Sequence, residues 1–202
     1  MKKLLLLLFS ILSFSSLQAQ ETTYGITTGV NFSTVTTDGS SLVVNAQDDF
    51  VTNFTIGAFL DHPISEKVGV KFDLSYVFRD IPTFSTSTFQ DVRLRGFDIT
   101  PLLKVSLGEN YNEGFSFLLG PRASFLLAAD SNSGLEDAKD AFKSTSFGLQ
   151  AGMLQTLSKY TIIELKVDYG FSVSDEAVTG NNINIVSVFL SLNLDVKGLL
   201  AN

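Results

Sequence analysis

Val68-Gly69-Val70-Lys71-Phe72-Asp73-Leu74-Ser75-Tyr76-Val77-Phe78-Arg79 is the stretch whose reading decides the fold. Its even positions, Val68, Val70, Phe72, Leu74, Tyr76 and Phe78, are apolar or aromatic. Its odd positions, Gly69, Lys71, Asp73, Ser75, Val77 and Arg79, are mostly small or charged. Successive side chains of a strand point to opposite faces, so a period of two builds a ribbon with one greasy side and one polar side.

Seven more segments repeat the pattern: 24–33, 54–62, 96–105, 115–127, 146–156, 163–172 and, less regularly, 186–194. Residues 63–67 predict a tight turn, because Pro63 cannot serve a central ladder. Pro101, inside the fourth segment, predicts a bulge. The connections alternate in length. Residues 35–51, 80–92, 129–144 and 174–182 are long and polar, whereas 63–67, 106–114 and 158–160 are shorter. Short periplasmic turns and longer outer loops are the wiring of outer-membrane barrels.

The N-terminus supplies the address. Lys2 and Lys3 precede an apolar run from Leu4 to Leu12, then a small and polar stretch closes at Ala19. This reads as a signal peptide over 1–19, followed by a barrel domain over 20–202. The run is too short to span a membrane, which takes about 20 apolar residues. There is no Cys, which removes disulfides, thiolate metal sites and Cys nucleophiles. Without residues 1–19 the net charge moves from −7 to 12 − 21 = −9, a balance that argues against nucleic acid as a partner.

The polar faces carry ion-pairing residues in mid-strand: Lys71, Asp73, Asp98, Arg122, Glu164, Lys166 and Asp168, with Asp61, Arg79 and Lys104 nearer the ends. Five are basic and five acidic. Such a set, interleaved with Gly, Ser, Thr, Asn and Gln, can fill a narrow lumen as a polar network. The apolar faces then meet lipid, and closure pairs every backbone group without leaving an edge. Tyr24, Phe32, Tyr76, Phe78, Phe115, Tyr169 and Phe171 are candidates for interfacial girdles. The fold expected is all-β: an eight-stranded antiparallel up-and-down transmembrane β-barrel, too narrow for an open pore.

No catalytic motif, metal spacing or cofactor fingerprint occurs. The single His, His62, stands beside Pro63 in a predicted turn without a foreseeable acid–base partner. The connections expected outside are acidic, with Asp38, Asp48, Asp49, Asp80, Asp91, Asp130, Glu136, Asp137, Asp140, Asp175 and Glu176. Leu135, Ala138, Ala141 and Phe142 recur at helical spacing and predict a short helix over 134–143.

The chain also resembles the PorT-like outer-membrane β-barrel proteins of Gram-negative bacteria. The likeness rests on Tyr24-Gly25-Ile26 with Gly29-Val30-Asn31-Phe32, on Ile56-Gly57-Ala58-Phe59, on Ile99-Thr100-Pro101-Leu102-Leu103-Lys104, and on Gly120-Pro121. It implies an eight-stranded barrel in the outer membrane; the family namesake takes part in protein secretion, whereas most members have no assigned activity. Such barrels commonly end on an aromatic residue, and here none follows Phe189.

The reading is a non-catalytic integral outer-membrane protein, monomeric, needing no cofactor. It is structural or docks envelope or secretion-system proteins through its acidic loops, with outer-membrane lipid around it. Two alternatives remain at this stage: a barrel that binds or narrowly transports a small molecule, and a soluble secreted binder of lipocalin type.

Overall fold

The computed structural model describes residues 22–37, 52–81, 92–131, 138–171 and 183–200. The expected signal segment 1–19 lies outside them. So do Asp38, Asp48, Asp49, Asp91, Glu136, Asp137, Asp175 and Glu176.

Eight strands run in chain order: β1 (Thr23–Thr37), β2 (Thr52–Pro63), β3 (Val68–Ile81), β4 (Val92–Ser106), β5 (Phe115–Ser131), β6 (Thr145–Ser158), β7 (Thr161–Phe171) and β8 (Ile183–Asp195). Each pairs antiparallel with its neighbours, and β1 closes on β8 from Gly25↔Asp195 to Thr37↔Ile183. The result is a closed up-and-down barrel with no free edge, which satisfies the ladder groups wherever lipid surrounds them.

Period-two patterning sorts the side chains as hydrocarbon requires. Ile26 and Leu119 are each 52% exposed on the outside, whereas Lys71 and Glu164 are 0% exposed within. Aromatic rings gather towards both ends of the outer surface. Tyr76 meets Phe78 and Phe97 edge to face at 5.1 and 5.2 Å, and Tyr169 meets Phe171 at 5.4 Å. Phe115 and Phe117 form a similar pair at 5.6 Å by the short turns. Edge-to-face contact sets the positive ring edge against the negative face of the neighbour.

Several boundaries differ from those expected. The strands extend further towards the long connections, so Asp80 and Asp130 are strand residues rather than loop residues. Alternation of apolarity fades there, yet pairing continues on charge. Asp80 lies opposite Arg93, whose guanidinium donates to both carboxylate oxygens at 2.7 and 2.9 Å, and Arg95 meets Asp130 at 2.7 Å. Pro63 ends β2 opposite Gly69 instead of opening the turn; a terminal position spares the ladder a missing N–H. The irregularity in β4 falls at Arg95/Gly96, with the register unchanged from Ile99↔Ala123 to Leu103↔Leu119, so Pro101 makes no bulge. Of the expected helix, the described part is a 3-10 turn over Ala138–Ala141. A short helix, α1 (Val196–Leu200), follows β8, and its Lys197 Nζ donates to the carbonyl of Thr22 at 2.8 Å.

Candidate functional site

Among the described residues, the lumen is where buried charged side chains converge. Inward positions on β2, β3, β4, β5 and β7 bring ten buried ionised residues together in three groups.

Near the long connections, Arg79 binds Asp98, and Arg122 Nε donates to Asp168 Oδ1 at 2.7 Å. Weaker cross-contacts, Arg79 to Asp168 at 3.8 Å and Arg122 to Asp98 at 3.6 Å, close the square. Further along, Lys71 binds Asp73 and lies 2.8 Å from Glu164, while Lys166 reaches Asp73 at 2.6 Å and Glu164 at 3.1 Å. At the short-turn end, Lys104 Nζ donates to Asp61 at 2.6 Å and to Asn112 at 3.2 Å. The Tyr111 hydroxyl donates to the other oxygen of Asp61 at 2.5 Å.

Each group is neutral in sum, two cations with two anions or one with one. Burying an unpaired charge costs several kcal/mol, about 3–5 when one partner of a pair is removed, so pairing is what permits this much charge inside. Three buried aromatic rings add to it. Lys71 lies over Phe59 at 5.1 Å, Arg79 over Phe189 at 5.7 Å, and Lys104 over Tyr111 at 4.1 Å. A cation above a ring face is attracted by the negative face of the quadrupole.

The structure thus brings Lys71, Asp73, Glu164 and Lys166 into one group, and Asp98, Arg122 and Asp168 into another with Arg79. Lys104 stands apart with Asp61. Sequence reasoning missed Tyr111 and Asn112, which come from a turn and obey no period. That turn is held by Ser106, whose hydroxyl donates to the Asn110 carbonyl at 3.0 Å and accepts from Gly108 N at 3.2 Å. Gly114 closes it at φ 70°, a left-handed conformation that suits glycine. Tyr111 is buried, and that burial, then the charge of Asp61 and the hydrogen bond to it, push the phenol well above its ordinary pKa.

The lumen is also greasier at its ends than expected. Leu102, Leu118, Leu154 and Ile162 form a buried cluster by the short turns. Val92, Leu94 and Ile185 form another by the long connections, with Leu126, Ala129 and Phe142 packed against it. Parity alone could have found Leu118, which shares the face of Ser116 and Arg122. His62 is exposed, and its Nδ1 lies 2.8 Å from the Thr22 hydroxyl, with no carboxylate beside it in this contact. Among the described residues no group of three or more His, Cys, Asp or Glu side chains could hold a metal ion.

This architecture has relatives among solved structures. The attachment invasion locus protein Ail of Yersinia pestis is 18% identical, with a TM-score of 0.50 over 87% of this chain and 99% of that one. Neisserial surface protein A is 12% identical, with a TM-score of 0.54 over 87% of this chain and 99% of that one. At such identity the likeness is one of fold. No curated protein matches the chain. The family model of the outer membrane protein beta-barrel domain matches residues 18–177, most of the sequence. With a closed eight-stranded barrel, an apolar exterior and a charged, paired lumen, the chain belongs to the outer membrane protein beta-barrel domain family.

Proposed function

We propose that the protein is exported, loses residues 1–19, and resides in the outer membrane as a non-conducting, non-catalytic barrel. In this reading it supports the envelope or docks a partner, of envelope or secretion-system type, through its acidic outer connections. It stands alone as a monomer in lipid. The PorT-like residues quoted above support kinship with that group inside the wider family.

One observation carries the reading: the lumen is filled. Ten ionised side chains, paired from Arg79–Asp98 to Lys104–Asp61, occupy the interior, and Tyr111 stops its inner end. A solute path would require parting buried ion pairs, which is costly in a low-dielectric interior. An eight-stranded barrel leaves little room besides. The exposed apolar stripes, with Phe54, Leu74, Leu119 and Leu190 outside, run opposite to what a soluble lipocalin-like binder needs.

Conductance in planar bilayers tests this. The expected trace is silent at the protein amounts at which a porin gives unitary steps. Reproducible unitary currents from the unmutated chain would refute it.

A further inference from the structure

The two ends of the barrel wall finish differently. Towards the long connections the outward columns run into ion pairs, Arg93 with Asp80 and Arg95 with Asp130. Towards the short turns they carry their apolar character into the turns. The outward column of β6, Leu149, Ala151 and Met153, continues past Gln155 to Leu157, which is 59% exposed. That of β8, Val188, Leu190, Leu192 and Leu194, leads into α1, where Leu199 and Leu200 are exposed, Leu200 at 77%. Ile64 and Leu107 stand exposed in the same way in the other two short turns.

The barrel holds α1 without covering it. Asp195 Oδ1 accepts from Gly198 N at 2.9 Å and caps the helix, and Asp195 N donates to the Tyr160 carbonyl at 2.8 Å. A Cβ on Gly198 would lie 3.1 Å from the Tyr160 ring, so the helix backbone rests against that ring. With Lys197 on the Thr22 carbonyl, α1 is tied to both β1 and the β6–β7 turn. Yet no residue of α1 is buried. A contiguous apolar surface left open in this way marks an interaction site. Beside it, Lys159 is exposed, with its Nζ 5.1 Å from the Tyr160 ring centre. The acids Glu66, Glu109 and Glu113 stand in the other two turns.

We infer that α1 and the β6–β7 turn form a docking surface for phospholipid of the leaflet on the short-turn side. Leu157, Leu199 and Leu200 enter the interfacial layer of that leaflet, and the Lys159 ammonium reaches its headgroup phosphates beside Tyr160. The occupant follows from continuity: along β8 the surface prolongs, without a polar break, the column that meets acyl chains. The inference rests on the barrel lying in a bilayer, the reading proposed above.

The chain contains no Trp, so a single introduced indole reports alone. Leu200→Trp, with Leu119→Trp as a mid-wall control, is refolded as the full chain into phosphatidylcholine–phosphatidylglycerol vesicles whose phosphatidylcholine carries bromine high or low on one acyl chain, or none. High bromines should dim Leu200→Trp about twofold and low bromines less, whereas low bromines should dim Leu119→Trp. Lys159→Glu in the Leu200→Trp background should roughly halve the dimming by high bromines, because the anionic headgroups then repel this edge. Should Leu200→Trp keep its full emission over both brominated lipids while Leu119→Trp is dimmed, α1 faces water or a protein and the inference falls, with the bilayer reading intact. Should both keep it, the bilayer reading falls as well. Unchanged dimming in Lys159→Glu would overturn the contact with headgroup phosphates.

Discussion

Gly69 and Tyr111 fit as socket and peg: a Cβ placed on Gly69 would lie 2.3 Å from the Tyr111 hydroxyl oxygen. The missing side chain on β3 is what lets the turn between β4 and β5 push a ring into the lumen and reach Asp61. The inner closure of the barrel therefore depends on a residue distant in sequence that contributes nothing but space.

Gly69→Ala should displace Tyr111 and destabilise the barrel by about 1–3 kcal/mol, the usual cost of overpacking. In Tyr111→Ala the ring is gone while the His62 carbonyl oxygen, 2.5 Å from the same Cβ, remains, so the double variant should recover part of the loss and fall short of the sum of the single losses. Urea unfolding in detergent micelles reads both. Strict additivity would separate the two residues.

Arg122→Ala leaves Asp168 and Asp98 facing each other with one guanidinium fewer. The expected loss is about 3–5 kcal/mol, because an unpaired buried charge remains. Lys139→Ala, at an exposed site in the 3-10 turn, should change stability by no more than about 0.5 kcal/mol. Thermal unfolding of the two variants at equal temperature would overturn the account of the lumen as a paired interior.

Leu119 stands on the outer face, flanked across the ladder by Ala151 and Leu103. Leu119→Arg should cost about 2–4 kcal/mol in a bilayer, since mid-depth lipid does not solvate a guanidinium. Removal of Arg93, exposed and paired with Asp80 at the rim, should cost under about 1 kcal/mol. Folding titrations in liposomes compare them. A neutral Leu119→Arg would mean that this face does not meet hydrocarbon.

Tyr111 also sets a pH dependence. Its folded pKa is raised by burial and by Asp61, so the folded state keeps a proton that the unfolded chain releases above pH about 10. The stability it confers is complete below that pH and is lost as pH rises towards the folded value. Tyr111→Phe cannot ionise and should lack this alkaline fall. Parallel decline of both proteins between pH about 9.5 and 11.5 would assign the effect to other groups.

Strand existence, strand number and the choice of outer face were legible from the chain, because a period of two is a local property that survives any tertiary context. Residues 68–79 alone carry it. The shared polar parity of Lys71, Asp73, Glu164 and Lys166 was legible for the same reason, whereas the apolar residues and Tyr111 at the ends of the lumen were not. Strand ends were not, since beyond the lipid the ladder continues on ion pairs such as Arg93 with Asp80, and polarity there looks like loop. Who pairs with whom was decided only in three dimensions. Lys166 meets Asp73 from 93 residues away because closure and strand stagger set their heights inside the barrel, and no one-dimensional pattern contains that stagger. The socket of Gly69 and the inward turn of Tyr111 have the same origin: each is made of space between distant segments, which appears only when the sheet closes on itself.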